Sequence, residues 1–275
     1  MPRRGNLTDA QWEKIKELLP RDKAHGGRPW RSHRQVINAI LWVLRTGAPW
    51  RDLPARYGPW STAYSRFRRW RDEGVWRQLV AQLHASAHAN ATLDWSLHML
   101  DGTVIRAHHH GAGALLAGKT PSQRATLEAL GHSRGGLTTK PIIRIDACGR
   151  LRGLVLAPGH RHESLFFEEL MNQGAVQGPT GRPKLRPARI VADKAYNVVR
   201  IRRWCASHGV NSTIPRNCNQ RRRGPFDREL YRRRNLVERK FNRFKDFRGL
   251  ATRYDKLASS FHARFWIVEL FLETA

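Results

Sequence analysis

Ala188-Arg189-Ile190-Val191-Ala192-Asp193-Lys194-Ala195-Tyr196 sets a short apolar strand, residues 188–192, directly before an acid. Alternation follows it. Tyr196 to His208 has helical spacing, Asn211 to Pro215 reads as a short strand, and Glu229 to Phe247 as a long helix rich in Arg. Upstream lie a helix from Glu163 to Met171 and a hairpin of Lys140 to Asp146 with Leu151 to Ala157. Further upstream, Leu97 to His108 reads as a strand around Asp101, and these three strands suit antiparallel pairing. The order β-β-β-α-β-α-β-α predicts a mixed α/β sheet flanked by helices. Residues 111–131 and 174–187 lack such a pattern and are read as loops or a small insertion.

The first ninety residues carry helical punctuation instead. Thr8 with Gln11 has the spacing of a capping box, after which Trp12, Ile15 and Leu19 recur until Pro20. Ser32 with Gln35 repeats that spacing ahead of Val36, Ile37, Ile40, Leu41 and Leu44, and Gly47 ends the helix. A turn rich in Pro, Gly and Trp, residues 47–60, leads to a helix from Ser61 to Glu73. Its Tyr64, Phe67 and Trp70 form an aromatic face, and Arg66, Arg68, Arg69 and Arg71 a basic one. A short helix, Val75 to Ala85, closes the bundle. The polar stretch Ser86 to Asp94 then divides the chain into a helical domain, residues 1–90, and an α/β domain, residues 91–275.

Charge narrows the function classes. Fifty Lys and Arg against 22 Asp and Glu give a formal net charge of +28 over 275 residues, so the expected partner is a polyanion. A hydrophobic share of 40%, with 10 Trp and 10 Phe, supplies enough apolar surface to exclude wholesale disorder. No apolar run reaches the roughly 18 residues of a membrane span, and the basic start, with Arg3 and Arg4, has no apolar segment behind it. A cytoplasmic protein is expected. The three cysteines, Cys148, Cys205 and Cys218, form no Cys-x-x-Cys pair and are read as reduced thiols rather than disulfides or zinc ligands.

In so basic a chain, acids at strand ends are the ones to interrogate, because hard divalent cations require clustered carboxylates. Asp101 and Asp193 both qualify, although Asp also begins ordinary turns. The third acid is Glu238, the only one between Tyr231 and Lys245, amid seven basic residues. At about 100° per residue, Tyr231, Arg234, Glu238 and Lys245 share one helical stripe beside Val237, Phe241 and Phe244. Packing the apolar stripe on the sheet turns the polar one toward the strand ends; a simple ion pair of Glu238 with Arg234 fits the spacing as well. A zinc reading of His108, His109 and His110 meets the objection that adjacent strand positions point to opposite faces.

Asp101, Asp193 and Glu238, with Tyr231-x2-Arg234-x3-Glu238-x6-Lys245 around the last acid, resemble the DDE transposases of bacterial insertion sequences, specifically the insertion-sequence-five group. The resemblance covers essentially the whole chain. It extends to Leu7-Thr8-Asp9-x-Gln11-Trp12, Gly47-Ala48-Pro49-Trp50-Arg51-Asp52-Leu53-Pro54, Ser133-Arg134-Gly135-Gly136-Leu137-Thr138-Thr139-Lys140, Ala192-Asp193-Lys194-Ala195-Tyr196 and Arg234-Asn235-x-Val237-Glu238-Arg239. One departure is Asn197, where family members often have Asp.

What the resemblance implies is specific. The fold would be a ribonuclease-H-like catalytic domain behind a small all-α, helix-turn-helix-like DNA-binding domain. Asp101, Asp193 and Glu238 would be both the catalytic acids and the ligands of two Mg2+ ions, with Mn2+ able to substitute. Tyr231, Arg234, Lys245 and Lys194 would contact DNA phosphates, and Arg66, Arg68, Arg69 and Arg71 the groove or backbone. The activity would be cleavage at the element's terminal inverted repeats and transfer of the 3′-OH strands to double-stranded target DNA, by a homodimer or higher synaptic complex on the bacterial nucleoid. The rival readings are a metal-dependent endonuclease without strand transfer and a decayed DNA-binding regulator. The C-terminal apolar run, Phe261 to Phe271, suits either core packing or an oligomer contact.

Overall fold

The computed structural model describes residues 5–20, 32–111, 127–133, 135–177, 181–217 and 226–275. Arg3, Arg4, Arg134, Cys218 and parts of the two patternless stretches lie outside the described residues. Four helices come first: α1 (Asp9–Ile15), α2 (His33–Thr46), α3 (Trp60–Asp72) and α4 (Val75–Ala89). The sheet region holds β1 (Leu97–Gly102), β2 (Ile105–Arg106), β3 (Gly131–Ser133), β4 (Gly136–Asp146), β5 (Leu151–Pro158), α5 (Phe167–Met171), β6 (Arg189–Ala192), α6 (Val199–Ser207) and β7 (Asn211–Thr213). It is followed by α7 (Arg228–Arg232), α8 (Asn235–Lys245), α9 (Arg248–Ala251) and α10 (Ala258–Thr274).

Strands run in the order β5-β4-β1-β6-β7, with β4 antiparallel to both β5 and β1, and β1, β6 and β7 mutually parallel. An antiparallel hairpin and third strand, extended by two parallel strands, is the ribonuclease-H-like arrangement. Short β2 and β3 prolong opposite edges of β4. Side-chain alternation divides the core into two layers. Met99, Ile143, Ile145 and Val191 face Val237, Phe241 and Phe244 of α8 and the apolar residues of α10. Leu100, Ile142, Ile190 and Ala192 face Phe167, Tyr196, Ile201 and Cys205 on the other side. The helices before β1 join the first layer: Ile15, Ile40, Phe67 and Trp76 share one cluster with the sheet and α10.

The expected elements recur with physical corrections. Thr8 and Gln11 form the capping box reciprocally. Gly47 ends α2 in the left-handed region at φ +69, and a Cβ there would stand 3.2 Å from Arg248 Cβ, so glycine also lets α9 approach. Ser32, by contrast, makes no capping bond. The helix α4 runs to Ala89, past the expected end at Ala85 and into the stretch read as a boundary, because its alanines favour helix. The helix read over 229–247 is two: α7 ends at Arg232, and Arg234 caps α8. In α10, Phe261, Phe265, Trp266, Ile267 and Leu270 are all buried, so that run is core within the chain. Among the described residues no helix is long and apolar enough to cross a membrane.

A buried ion pair fixes α8 to α10. Lys240 Nζ lies 2.5 Å from Glu269 Oε2, their side chains 5% and 0% exposed, and Glu269 Oε1 accepts from Leu151 N at 2.8 Å. Burial pushes Glu269 up to about 7 against the opposing Lys240 charge. Lys240→Met strands an acid in the core, and breaking such a pair costs about 3–5 kcal/mol. A raised folded-state pKa means the native protein holds more protons than the unfolded chain, so stability falls as pH rises through the interval from the ordinary Glu value to about 7. The loss in Lys240→Met is therefore larger at pH 8 than at pH 5.5 in urea unfolding; an equal loss at both pH values removes the electrostatic explanation.

Candidate active site

The last paired positions of two neighbouring parallel strands are Leu100 on β1 and Ala192 on β6. Asp101 and Asp193 come one residue later, at the same end of strands that run about 4.8 Å apart. Local bonds orient both. Asp101 Oδ1 accepts from Gly102 N at 3.0 Å, and Asp193 Oδ1 accepts from Ala195 N at 2.9 Å, capping a 3-10 turn over Lys194–Tyr196. The α8 helix crosses the face that Met99 and Val191 share, which brings the third acid to this edge.

Arg234 joins two of the acids. Its Nη1 donates to Asp101 Oδ2 at 2.9 Å and its Nη2 to Glu238 Oε1. Asp101 is pushed up to about 6 by burial; Arg234 and the Gly102 N–H hold it down, whereas Asp193 and Glu238 push it further up. Such mutual repulsion places the three carboxylates in one electrostatic neighbourhood. Glu238 is the most exposed, its side chain 46% accessible against 14% for Asp101.

A fourth acid stands beside them. Glu163 opens a 3-10 turn over Glu163–Phe166, and a Cβ added to Gly102 would meet its Oε2 at 2.2 Å. Burial raises Glu163 to about 7, Asp193 and Asp101 adding to that and Lys140 and Arg234 opposing it. Nothing in the sequence singled it out, because an acid in a helix's first turn already has a local explanation. The donor chemistry fits a hard divalent cation, since every candidate ligand is a carboxylate oxygen. The Arg234 guanidinium already acts as the positive charge between Asp101 and Glu238.

Basic residues expected to meet phosphate divide into two groups. Lys245 Nζ donates to Thr103 Oγ1 at 3.0 Å, at the β1 end of the site, and Lys194 is exposed directly after Asp193. Tyr231, half-buried, lies 6.0 Å from the Arg234 guanidinium over its ring. On α3, Arg68 and Arg69 are exposed. Arg66 is instead 7% exposed, its Nη1 2.8 Å from His33 Nδ1 and its guanidinium over Trp70, so its head is engaged within the helices. Arg71 also turns inward: its side chain is 8% exposed, bonded to Asp72 and at 2.7 Å to Ser260 Oγ of α10. Long stems bury well while the head finds a partner, which helical periodicity does not register.

Two other positions differ from expectation or complete it. His109–Gly111 is a 3-10 turn, not strand, and the ligand nitrogens of His108, His109 and His110 lie within 4.8 Å of one another. The opposite-faces objection therefore fails, and the three histidines follow β2 on a turn of their own rather than a strand end. Asn197 accepts from Arg202 at 3.0 and 2.8 Å, a structural contact within the turn leading to α6.

Residues 96–268 match the family model described as "Transposase DDE domain", and residues 7–80 match that of transposases of the IS4/5 family. An uncharacterized protein, y4sN, of Sinorhizobium fredii is 38% identical over 125 residues, 45% of this chain and 95% of that protein. An uncharacterized 16.2 kDa protein of insertion element IS402 from Burkholderia cepacia is 40% identical over 121 residues, 42% of this chain and 80% of the relative. Among solved structures, the Mos1 strand transfer complex is 12% identical over 82% of each chain, with a TM-score of 0.29.

Proposed function

From the premise that this chain belongs to the transposase DDE domain family, we propose that it binds the terminal inverted repeats of an insertion sequence, cleaves DNA at the element ends and transfers the 3′-OH strands to target DNA. The observation that carries the reading is the convergence at one sheet edge of acids from three distant segments, Asp101, Asp193 and Glu238, with Arg234 between two of them. These three side chains would hold two Mg2+ ions, for which Mn2+ would substitute. Bound there, the cations supply Lewis-acid activation of the attacking oxygen and charge stabilisation of the leaving one.

The chain's own residues do the rest. Burial raises Asp101 to about 6 in the metal-free chain, so protons compete with cations for its carboxylate, and the Mn2+ concentration needed for half-occupancy is expected to rise as pH falls below about 6; a titration curve independent of pH between about 5 and 7 contradicts this. Arg234, Lys245 and Lys194 surround the acids with positive charge that draws phosphate in, and each such contact adds to the salt dependence of binding. Tyr231 flanks Arg234 at the same mouth. The helices of residues 1–90 form a DNA-binding domain whose exposed Arg68 and Arg69 face duplex DNA. Two ends must be cut and joined together, which requires a dimer or higher synaptic complex, acting on the nucleoid of a bacterial cytoplasm.

Incubation of the protein with labelled element ends, target plasmid and Mg2+ tests this. Joined products are expected. Cleavage without joining reduces the reading to an endonuclease, and a metal-independent mobility shift without cleavage reduces it to a DNA-binding regulator.

A further inference from the structure

The acidic edge is larger than its three family acids. Glu163 approaches from the layer opposite α8, carried by the turn that leads into α5, which packs under Leu100, Ile142 and Ala192. The approach depends on a glycine. Gly102, next to Asp101, leaves open the space in which Glu163 Oε2 rests; the hypothetical Cβ at 2.2 Å excludes any other residue unless the carboxylate moves. Half-buried, Glu163 makes no ion pair or hydrogen bond among the described residues, whereas the comparable surface acid Glu168 pairs with Arg200. Below it the Tyr196 hydroxyl is fully buried and has no hydrogen-bond partner among the described residues. Its phenol is held protonated by burial and by the negative charges of Glu163, Asp101 and Asp193.

A carboxylate without a partner among the described residues, resting against the residue next to Asp101 and over an orphaned phenol, is unfavourable unless a proton or a cation compensates it, and a divalent cation at Asp101 is within its reach to do so. We propose that Glu163 is a fourth carboxylate ligand of the divalent-cation centre formed by Asp101, Asp193 and Glu238. This rests on the proposed metal-dependent reading of that site. The fourth negative charge reduces the positive surplus that two divalent ions, Arg234 and Lys245 would leave over the three acids. It also encloses the centre from both layers of the sheet.

Metal binding by the full chain, without DNA, isolates the claim. Free Mn2+ is counted by electron paramagnetic resonance for the wild type, Glu163→Gln, Gly102→Ala, their double variant, Asp101→Asn and Glu168→Gln, with circular dichroism verifying each fold. The Kd of Glu163→Gln rises about 10- to 100-fold, and Gly102→Ala raises it by displacing the same carboxylate. The double variant is no weaker than the weaker single one, and Glu168→Gln matches the wild type. Wild-type affinity in Glu163→Gln, with binding lost in Asp101→Asn, overturns the fourth ligand and leaves the three-acid site standing. Wild-type affinity in Asp101→Asn as well overturns the site itself. An equal loss in Glu168→Gln reduces the effect to general surface charge.

Discussion

Glu238→Gln is expected to leave the protein folded and bound to element ends while cleavage falls by at least about a thousandfold. The side chain is 46% exposed and its recorded partner is Arg234, so the substitution removes one exposed ion pair, a contact worth about 0–1 kcal/mol. Its chemical role is disproportionate. A carboxylate that holds a cation contributes several kcal/mol of transition-state charge stabilisation, and each 1.4 kcal/mol or so is a factor of ten in rate. Gln keeps the volume and one oxygen but loses the charge. Quantified product from labelled ends under Mg2+, beside a mobility shift in chelator, separates the two effects. Near-normal cleavage removes Glu238 from the centre; lost binding with lost cleavage makes the residue structural.

Arg234→Met is expected to act in opposite directions on metal and DNA. Arg234 contacts both Asp101 and Glu238, so in the metal-free protein it supplies the charge that those acids lack. Without it, Asp101, 14% exposed, keeps only the Gly102 N–H as a partner among the described residues, and the metal-free fold loses about 1–3 kcal/mol. A divalent ion then restores what the guanidinium supplied. Removing a like charge from beside such an ion would strengthen Mn2+ binding, by about tenfold for a repulsion across a few ångströms even at a water-like dielectric. Cleavage is expected to decline all the same, because the proposed phosphate contact is gone. The check is an Mn2+ titration paired with thermal melts in chelator. Weaker Mn2+ binding means that Arg234 positions the carboxylates rather than competing for them.

The apolar run before Asp193 announces a strand buried on both faces, and Met99 and Leu100, read as apolar strand residues, fill the two layers in turn. Thr8 and Gln11, and Gly47, mark their helix ends through backbone chemistry that is local. The failures come where tertiary contact decides. Nothing local breaks the chain between Arg232 and Arg234, since Arg and Tyr continue a helix readily; the turn there aims Arg234 at Asp101. Arg66 and Arg71 look like surface by type, but His33, Trp70 and Ser260 claim them. Glu163 was legible only once Gly102 was known to lie beneath it.

The most direct test of the central claim is the anomalous signal of Mn2+ in crystals of the protein bound to its element ends. The account predicts two manganese peaks at the C-terminal ends of β1 and β6, shared among Asp101, Asp193 and Glu238. A single peak touching only one of those acids, or manganese bound solely at another place such as His108 to His110, contradicts it.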